Sequence, residues 1–221
     1  SAIDSLREYR VSSDLVDAAI MGDFTISELI LDLSRTISSY ASYFIFETRD
    51  TIASEGDATY QSTFDITVKS VNPIFQLLEV PVTISDGSQI EIIYKHLSDV
   101  SFGVFMRADT IQYLDKYFYE NELLIDASKP PGSLDVLALL QLQSMRQSWN
   151  EEISTEGLSI EAIWSQNDIA GTFQIEQKEN HNRARIKSLV NLKKDTIDFR
   201  ILPSDVVVFD TYWNINRDNR V

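Results

Sequence analysis

GTFQIEQKENHNRARIKSLVNLKKDTIDFRILPSDVVVF spans Gly171 to Phe209, near the C-terminus. Apolar and polar residues alternate along it with period two, the spacing that sends successive side chains to opposite faces of a strand. Thr172 to Gln177, Arg183 to Leu192, Thr196 to Leu202 and Val206 to Phe209 read as strands. Short polar turns separate the first three, so the simplest arrangement is an antiparallel meander. Arg183, Arg185 and Lys187 share one face of the second strand, with Ala184, Ile186, Ser188 and Val190 on the other. Lys193 and Lys194 extend the positive charge into the next turn. Lys178 to Arg200 holds seven of the chain's 19 basic residues against three acids. That window carries +4 in a chain of net charge −15.

Upstream of the meander the expected period changes. Ser133 caps a run in which Leu134, Leu137, Ala138, Leu142, Met145 and Trp149 fall at helical steps. Val136, Leu139 and Leu140 fill its other side, so the pattern predicts a central buried helix ending near Glu152. Lys129-Pro130-Pro131-Gly132 breaks the chain and divides it into 1–128 and 129–221, or marks a turn inside one continuous domain. Asp109 to Leu123 reads as another helix, with Ile111, Leu114, Tyr117 and Phe118 on one face. Between 63 and 106 the period is two: Thr63 to Val71, Phe75 to Ile84, Ser88 to Tyr94 and Ser101 to Met106 read as strands. Asp86-Gly87 supplies the hairpin turn, and Pro81 confines its own strand to an edge. The N-terminus reads as two helices. One runs from Ser13-Asp14 to Gly22; the other is capped by Thr25 or Ser27 and carries Ile26, Leu29, Ile30, Leu33, Ile37 and Tyr40. Tyr43 to Phe46 fits a last helical turn or a strand. The sequence therefore predicts an α+β fold: N-terminal helices, a strand-rich middle with a hairpin, a central helix and a C-terminal antiparallel meander.

Composition narrows the function classes. A chain of 221 residues that is 43% hydrophobic can bury a core. The absence of cysteine excludes thiolate catalysis, disulfides and cysteine-ligated metal. A pI near 4.4 disfavours nucleic acid as the general partner. The basic strand face also lacks the interleaved aromatics on which single strands stack. No apolar run approaches the ~18 residues of a spanning helix. These features suggest a cytoplasmic protein or part of a soluble assembly. His96 and His181 are the two histidines, too few for a histidine-rich metal site, and Glu151-Glu152 reads as a solvated helix end.

Two interaction features remain. The basic face of Arg183, Arg185 and Lys187 suits an acidic surface on another protein or another copy, since opposite potentials steer encounter and register. The tail carries Tyr212 and Trp213, residue types enriched at interface hot spots. The leading expectation is a non-enzymatic subunit of a multi-protein assembly, such as a viral or phage particle or a secretion-type complex, with no cofactor and no metal. A rival pattern is Asp168 followed by Glu176-Gln177-Lys178, which resembles the Asp…(Asp/Glu)-x-Lys arrangement of a large nuclease superfamily. That resemblance implies two carboxylates holding a divalent cation and Lys178 positioning the attacking water. A third reading, a small-ligand sensor built around 60–106, has no motif behind it.

Overall fold

The computed structural model describes residues 7–25, 27, 29, 60–96, 100–129, 136–193 and 196–215. Fourteen strands form one antiparallel sheet. In chain order they are β1 (Arg7–Ser12), β2 (Val16–Gly22), β3 (Tyr60–Val68), β4 (Val82–Ile84), β5 (Gln89–His96), β6 (Val100–Tyr113) and β7 (Lys116–Lys129). The series continues with β8 (Leu137–Ser148), β9 (Ser154–Ser165), β10 (Asp168–Gln177), β11 (Asn182–Leu192), β12 (Ile197–Ile201), β13 (Ser204–Val208) and β14 (Thr211–Ile215). Spatial order follows chain order, except that β4 pairs with β6, and β12 and β13 both pair with β11. α1 (Asn72–Leu77) is a short helix with no buried residue.

This corrects the α+β expectation: the described residues form an antiparallel sheet almost throughout. The predicted central helix is β8. Its apolar residues do surround a helical wheel, but they also occupy both faces of a strand: Ala138, Leu140 and Leu142 on one, Leu137 and Leu139 on the other. Over a short apolar run the two periods cannot be told apart. The predicted helix from Asp109 to Leu123 is a hairpin of β6 and β7, turned by Leu114 and Asp115 between the paired Tyr113 and Lys116. Leu114 adopts φ 57° there, a conformation usually left to Gly or Asn. The turn therefore gives no compositional signal. The predicted first helix is β2 with the turn before it.

Of the second predicted helix, Ser27 and Leu29 are helical, and the Leu29 amide donates to the Thr25 carbonyl at 3.0 Å. The rest of that run, and Tyr43 to Phe46, lie outside the described residues. The meander forms as expected. The Asp86-Gly87 turn forms with Gly87 at φ 83°, but β4 and β5 on either side do not pair with each other. Phe75 to Ile84 is α1 and β4 rather than one strand. β7 and β8, on either side of the Pro-Pro-Gly break, pair directly from Tyr117 with Ser148 to Ser128 with Leu137.

The buried cluster of Phe24, Leu29 and Tyr94 lies on one face of the sheet. Tyr9, Ile20, Phe64, Val100 and Phe102, from β1, β2, β3 and β6, pack against it. Phe24 and Leu29 therefore cover that end. Gly22 permits the fold-back, because a Cβ there would overlap the Phe24 ring and the Gln61 carbonyl. Ser62 lies fully buried nearby, and its hydroxyl has no hydrogen-bond partner among the described residues. An unmade buried hydrogen bond costs more than an apolar replacement. Ser62→Ala is thus expected to leave stability unchanged or raise it by about 1 kcal/mol in urea titration. A loss above that size would mean that the hydroxyl is satisfied in solution.

Candidate functional site

Residues directly opposite one another in an antiparallel ladder project from the same face. Following the register across the sheet gives the row Val11, Ala18, Ile66, Ile90, Met106, Leu123, Leu142, Ile160, Phe173 and Ile186. Ten strands contribute and every residue is apolar. Beside it runs Tyr9, Ile20, Phe64, Ile92, Val104, Ile125, Leu140, Ala162, Gly171 and Ser188, apolar apart from its last member and the tyrosine hydroxyl. At ~4.8 Å per step between strands, each row is about 43 Å long.

The opposite face has a different character. Its matching row is Arg10, Ala19, Asp65, Glu91, Phe105, Leu124, Gln141, Glu161, Thr172 and Lys187. Charged and polar side chains make up most of it, interrupted by Ala19 and by the adjacent Phe105 and Leu124, as on a largely solvated sheet surface.

The apolar face ends at a crease. Glu120 and Gly157 take φ 52° and 60°, and Asp109, Glu120, Met145 and Gly157 drop out of the ladders that flank them. Along β8 the buried positions step from Ser144 to Gln147 across two exposed residues, so the alternation changes phase. Hydrogen bonds pin the crease. Asn121 donates to the carbonyls of Ala108 (3.2 Å) and Phe118 (2.8 Å), Gln147 to that of Ser144 (2.7 Å), and Thr155 to the Gln147 side chain (2.9 Å). Trp149 Nε1 closes the chain on Thr155 at 2.6 Å. The polar groups at this margin are thus satisfied within the protein.

The basic residues stand where their alternation predicts. Arg183, Arg185 and Lys187 are exposed on the charged face of β11. The register sets Glu176 beside Arg183, and sets Gln174 and Asp205 on the two sides of Arg185. Acids therefore interleave with the patch. Lys193 reaches Asp198 at 3.6 Å, and Arg200 donates to the same carboxylate at 2.7 Å. The Arg200 hydrogen bond is the main reason that the Asp198 carboxyl lies below the usual aspartate range. Lys194 lies outside the described residues. Tyr212 and Trp213 belong to β14 and project from opposite faces. The Tyr212 hydroxyl donates to Asp205, while Trp213 pairs with Val206 on the apolar side.

Asp168 and Glu176 are not brought together. They lie eight residues apart on β10, about 26 Å at ~3.3 Å per residue, whereas carboxylates sharing Mg²⁺ each approach it to ~2.1 Å. Asp168 instead accepts a hydrogen bond from Asn191, and Lys178 begins a 3-10 turn at the far end of the strand. His181 is an exposed turn residue at φ 55°. No group of three acidic or histidine side chains among the described residues could hold a metal ion, and no helix among them is long and apolar enough to cross a membrane.

The apolar row is the feature that strand-by-strand reading misses. Part of its signal was legible in β9, where Leu158, Ile160, Ala162 and Trp164 alternate with Ser159, Glu161, Ile163 and Ser165. Continuity across strands needs the register, which no single segment carries. No protein-family model, curated protein or solved structure matches this chain.

Proposed function

We propose that the chain is a non-enzymatic binding module whose working surface is the part of the apolar sheet face that Phe24 and Leu29 do not cover, and that its ligand is the hydrocarbon chain of an amphipathic molecule. The observation that carries this reading is the unbroken apolar row from Val11 to Ile186 across ten strands. Specific protein interfaces form about one hydrogen bond per 100–200 Å². This row offers no side-chain donor or acceptor beyond a thioether, whereas an acyl chain needs none and gains from each methylene withdrawn from water. A row of about 43 Å also exceeds the ~15 Å occupied by one leaflet of bilayer hydrocarbon. It has room for more than one chain end to end. The charged face would remain in water.

A place in a larger assembly stays part of the proposal, with a different docking surface from the basic strand face. Acids interleave with Arg183 and Arg185, so that face has little of the one-sided potential that steers an acidic partner. Titration with a fluorescent long-chain fatty acid tests the reading. Saturable uptake with a blue-shifted emission is expected. Absence of uptake by protein that retains its strand circular dichroism would refute it.

A further inference from the structure

Exposed apolar side chains gather at one end of the sheet, beyond the crease. There the end of α1, the turn that follows it and the β6–β7 turn come together. β4 pairs with β6 from Val82 with Tyr113 to Ile84 with Ile111, the Leu114 amide donates to the Pro81 carbonyl at 3.0 Å, and the Val80 amide ties back to Phe75 at 2.9 Å. Leu77 is 81% exposed, Leu78 64% and Leu114 55%, with Ile74 and Val80 exposed beside them. α1 contributes no buried residue, so packing does not account for these leucines. Isolated exposed apolar residues are ordinary. Two adjacent leucines on one turn with a third on the neighbouring turn form a patch, and patches of this kind mark interaction sites.

We propose that this end is a membrane-insertion tip, whose partner is the zwitterionic surface of a phospholipid bilayer. Its backbone favours lipid over protein. The amides of Leu78, Glu79 and Val80 donate to the carbonyls of Ile74, Gln76 and Phe75 at 2.9–3.1 Å, and Pro73 and Pro81 have no N–H to satisfy. Backbone groups bonded within the protein enter an apolar medium at little cost. The same bonding leaves few donors for a protein partner, whose interface needs about one hydrogen bond per 100–200 Å². Charge points the same way. From Val71 to Pro81 the only ionisable side chain is Glu79, and on the facing turn Lys116 is paired with Asp115 at 2.6 Å. The tip has no cationic excess with which to hold an anionic leaflet, and the chain's net charge of −15 opposes one. Behind Leu114, Tyr113 and Tyr117 stand on the first and second rungs of the β6–β7 ladder, both exposed. That is the level of an interfacial tyrosine when the leucines reach ~5–10 Å into the headgroup and acyl boundary. The inference rests on the exposure and bonding of this end, not on the hydrocarbon reading of the apolar face. Where both hold, the bilayer is the source of the ligand.

The absence of native cysteine allows a single environment-sensitive label. On phosphatidylcholine vesicles, a nitrobenzoxadiazole attached through Leu78→Cys is expected to shift to the blue and to be quenched by spin-labelled lipid. The same label attached through Lys187→Cys is expected to do neither. Leu77→Asp combined with Leu78→Asp is expected to weaken vesicle flotation at least ~10-fold, the contribution of a single buried leucine, with an unchanged melting curve. Phosphatidylserine in the vesicles is expected to weaken it as well. No vesicle binding overturns the inference, as does binding that survives the double substitution or strengthens with phosphatidylserine. A Leu78→Cys label that shifts with rising protein concentration and no lipid would assign the tip to a second copy and overturn it too. Uptake of free fatty acid from solution is expected to be unchanged by the double substitution. Protein that binds vesicles through the tip but takes up no free fatty acid would uphold the tip while refuting the apolar-face ligand.

Discussion

Tyr94→Ala is expected to destabilise the protein by about 3–5 kcal/mol, the range for removing a large aromatic from a packed core. Tyr94 is fully buried, between Phe24 and Leu29 of the covering segment and the strands beneath. Among the described residues few apolar side chains are fully buried, so those of the Phe24, Leu29 and Tyr94 cluster carry a large share of the fixed packing. The loss should be read from urea midpoints at unchanged slope. Tyr212→Ala, on the exposed edge strand, is the control and should stay within about 0.5 kcal/mol. A Tyr94→Ala loss below about 1 kcal/mol would mean that Phe24 and Leu29 do not seat on the sheet in solution.

The second large effect concerns binding. Leu142 and Gln141 are neighbours on β8 with opposite facings, so Leu142→Glu and Gln141→Glu add the same charge on opposite sides of the sheet. Leu142 stands inside the apolar row, between Leu123 and Ile160. Leu142 is half-buried, so a carboxylate there keeps contact with water in the free protein, and folding should tolerate it. A hydrocarbon chain laid along the row would have to strip that water from an unpaired charge, which costs several kcal/mol when burial is complete. Uptake of the fluorescent fatty acid is expected to weaken at least ~10-fold, a difference of about 1.4 kcal/mol. Gln141→Glu should leave it unchanged. Equal weakening by both substitutions would mean that net charge, not the apolar row, governs uptake.

Much of the sheet was legible in the sequence wherever one face is wet. β3, β5, β10 and β11 alternate plainly, and the placement of Arg183, Arg185 and Lys187 on one side follows from that alternation alone. Reading failed in β8, because Leu137, Leu139, Ala138, Leu140 and Leu142 put apolar residues on both sides and imitate a helix apolar all round. It failed again at the β6–β7 turn. Leu114 holds φ 57° there without the glycine or asparagine that usually announces such a turn. The proposed binding surface was hidden for a further reason. Charge stands out in a linear sequence, so attention falls on the basic strand. The apolar rows exist only once ten strands are aligned, and a one-residue slip in any of them would break the row. The Asp168 and Glu176 pair shows the converse, since positions eight apart look close in sequence and lie at opposite ends of an extended strand.

The measurement that bears most directly on the apolar face as a hydrocarbon site is photo-cross-linking with a fatty acid that carries a diazirine along its chain. After irradiation, digestion and mass spectrometry, adducts are expected on peptides bearing Leu123, Leu142, Ile160 and Phe173, with the modified residues alternating along each strand. Adducts spread equally over Gln141, Glu161 and Lys187 on the charged face, or none above the level of unfolded protein, would contradict the account.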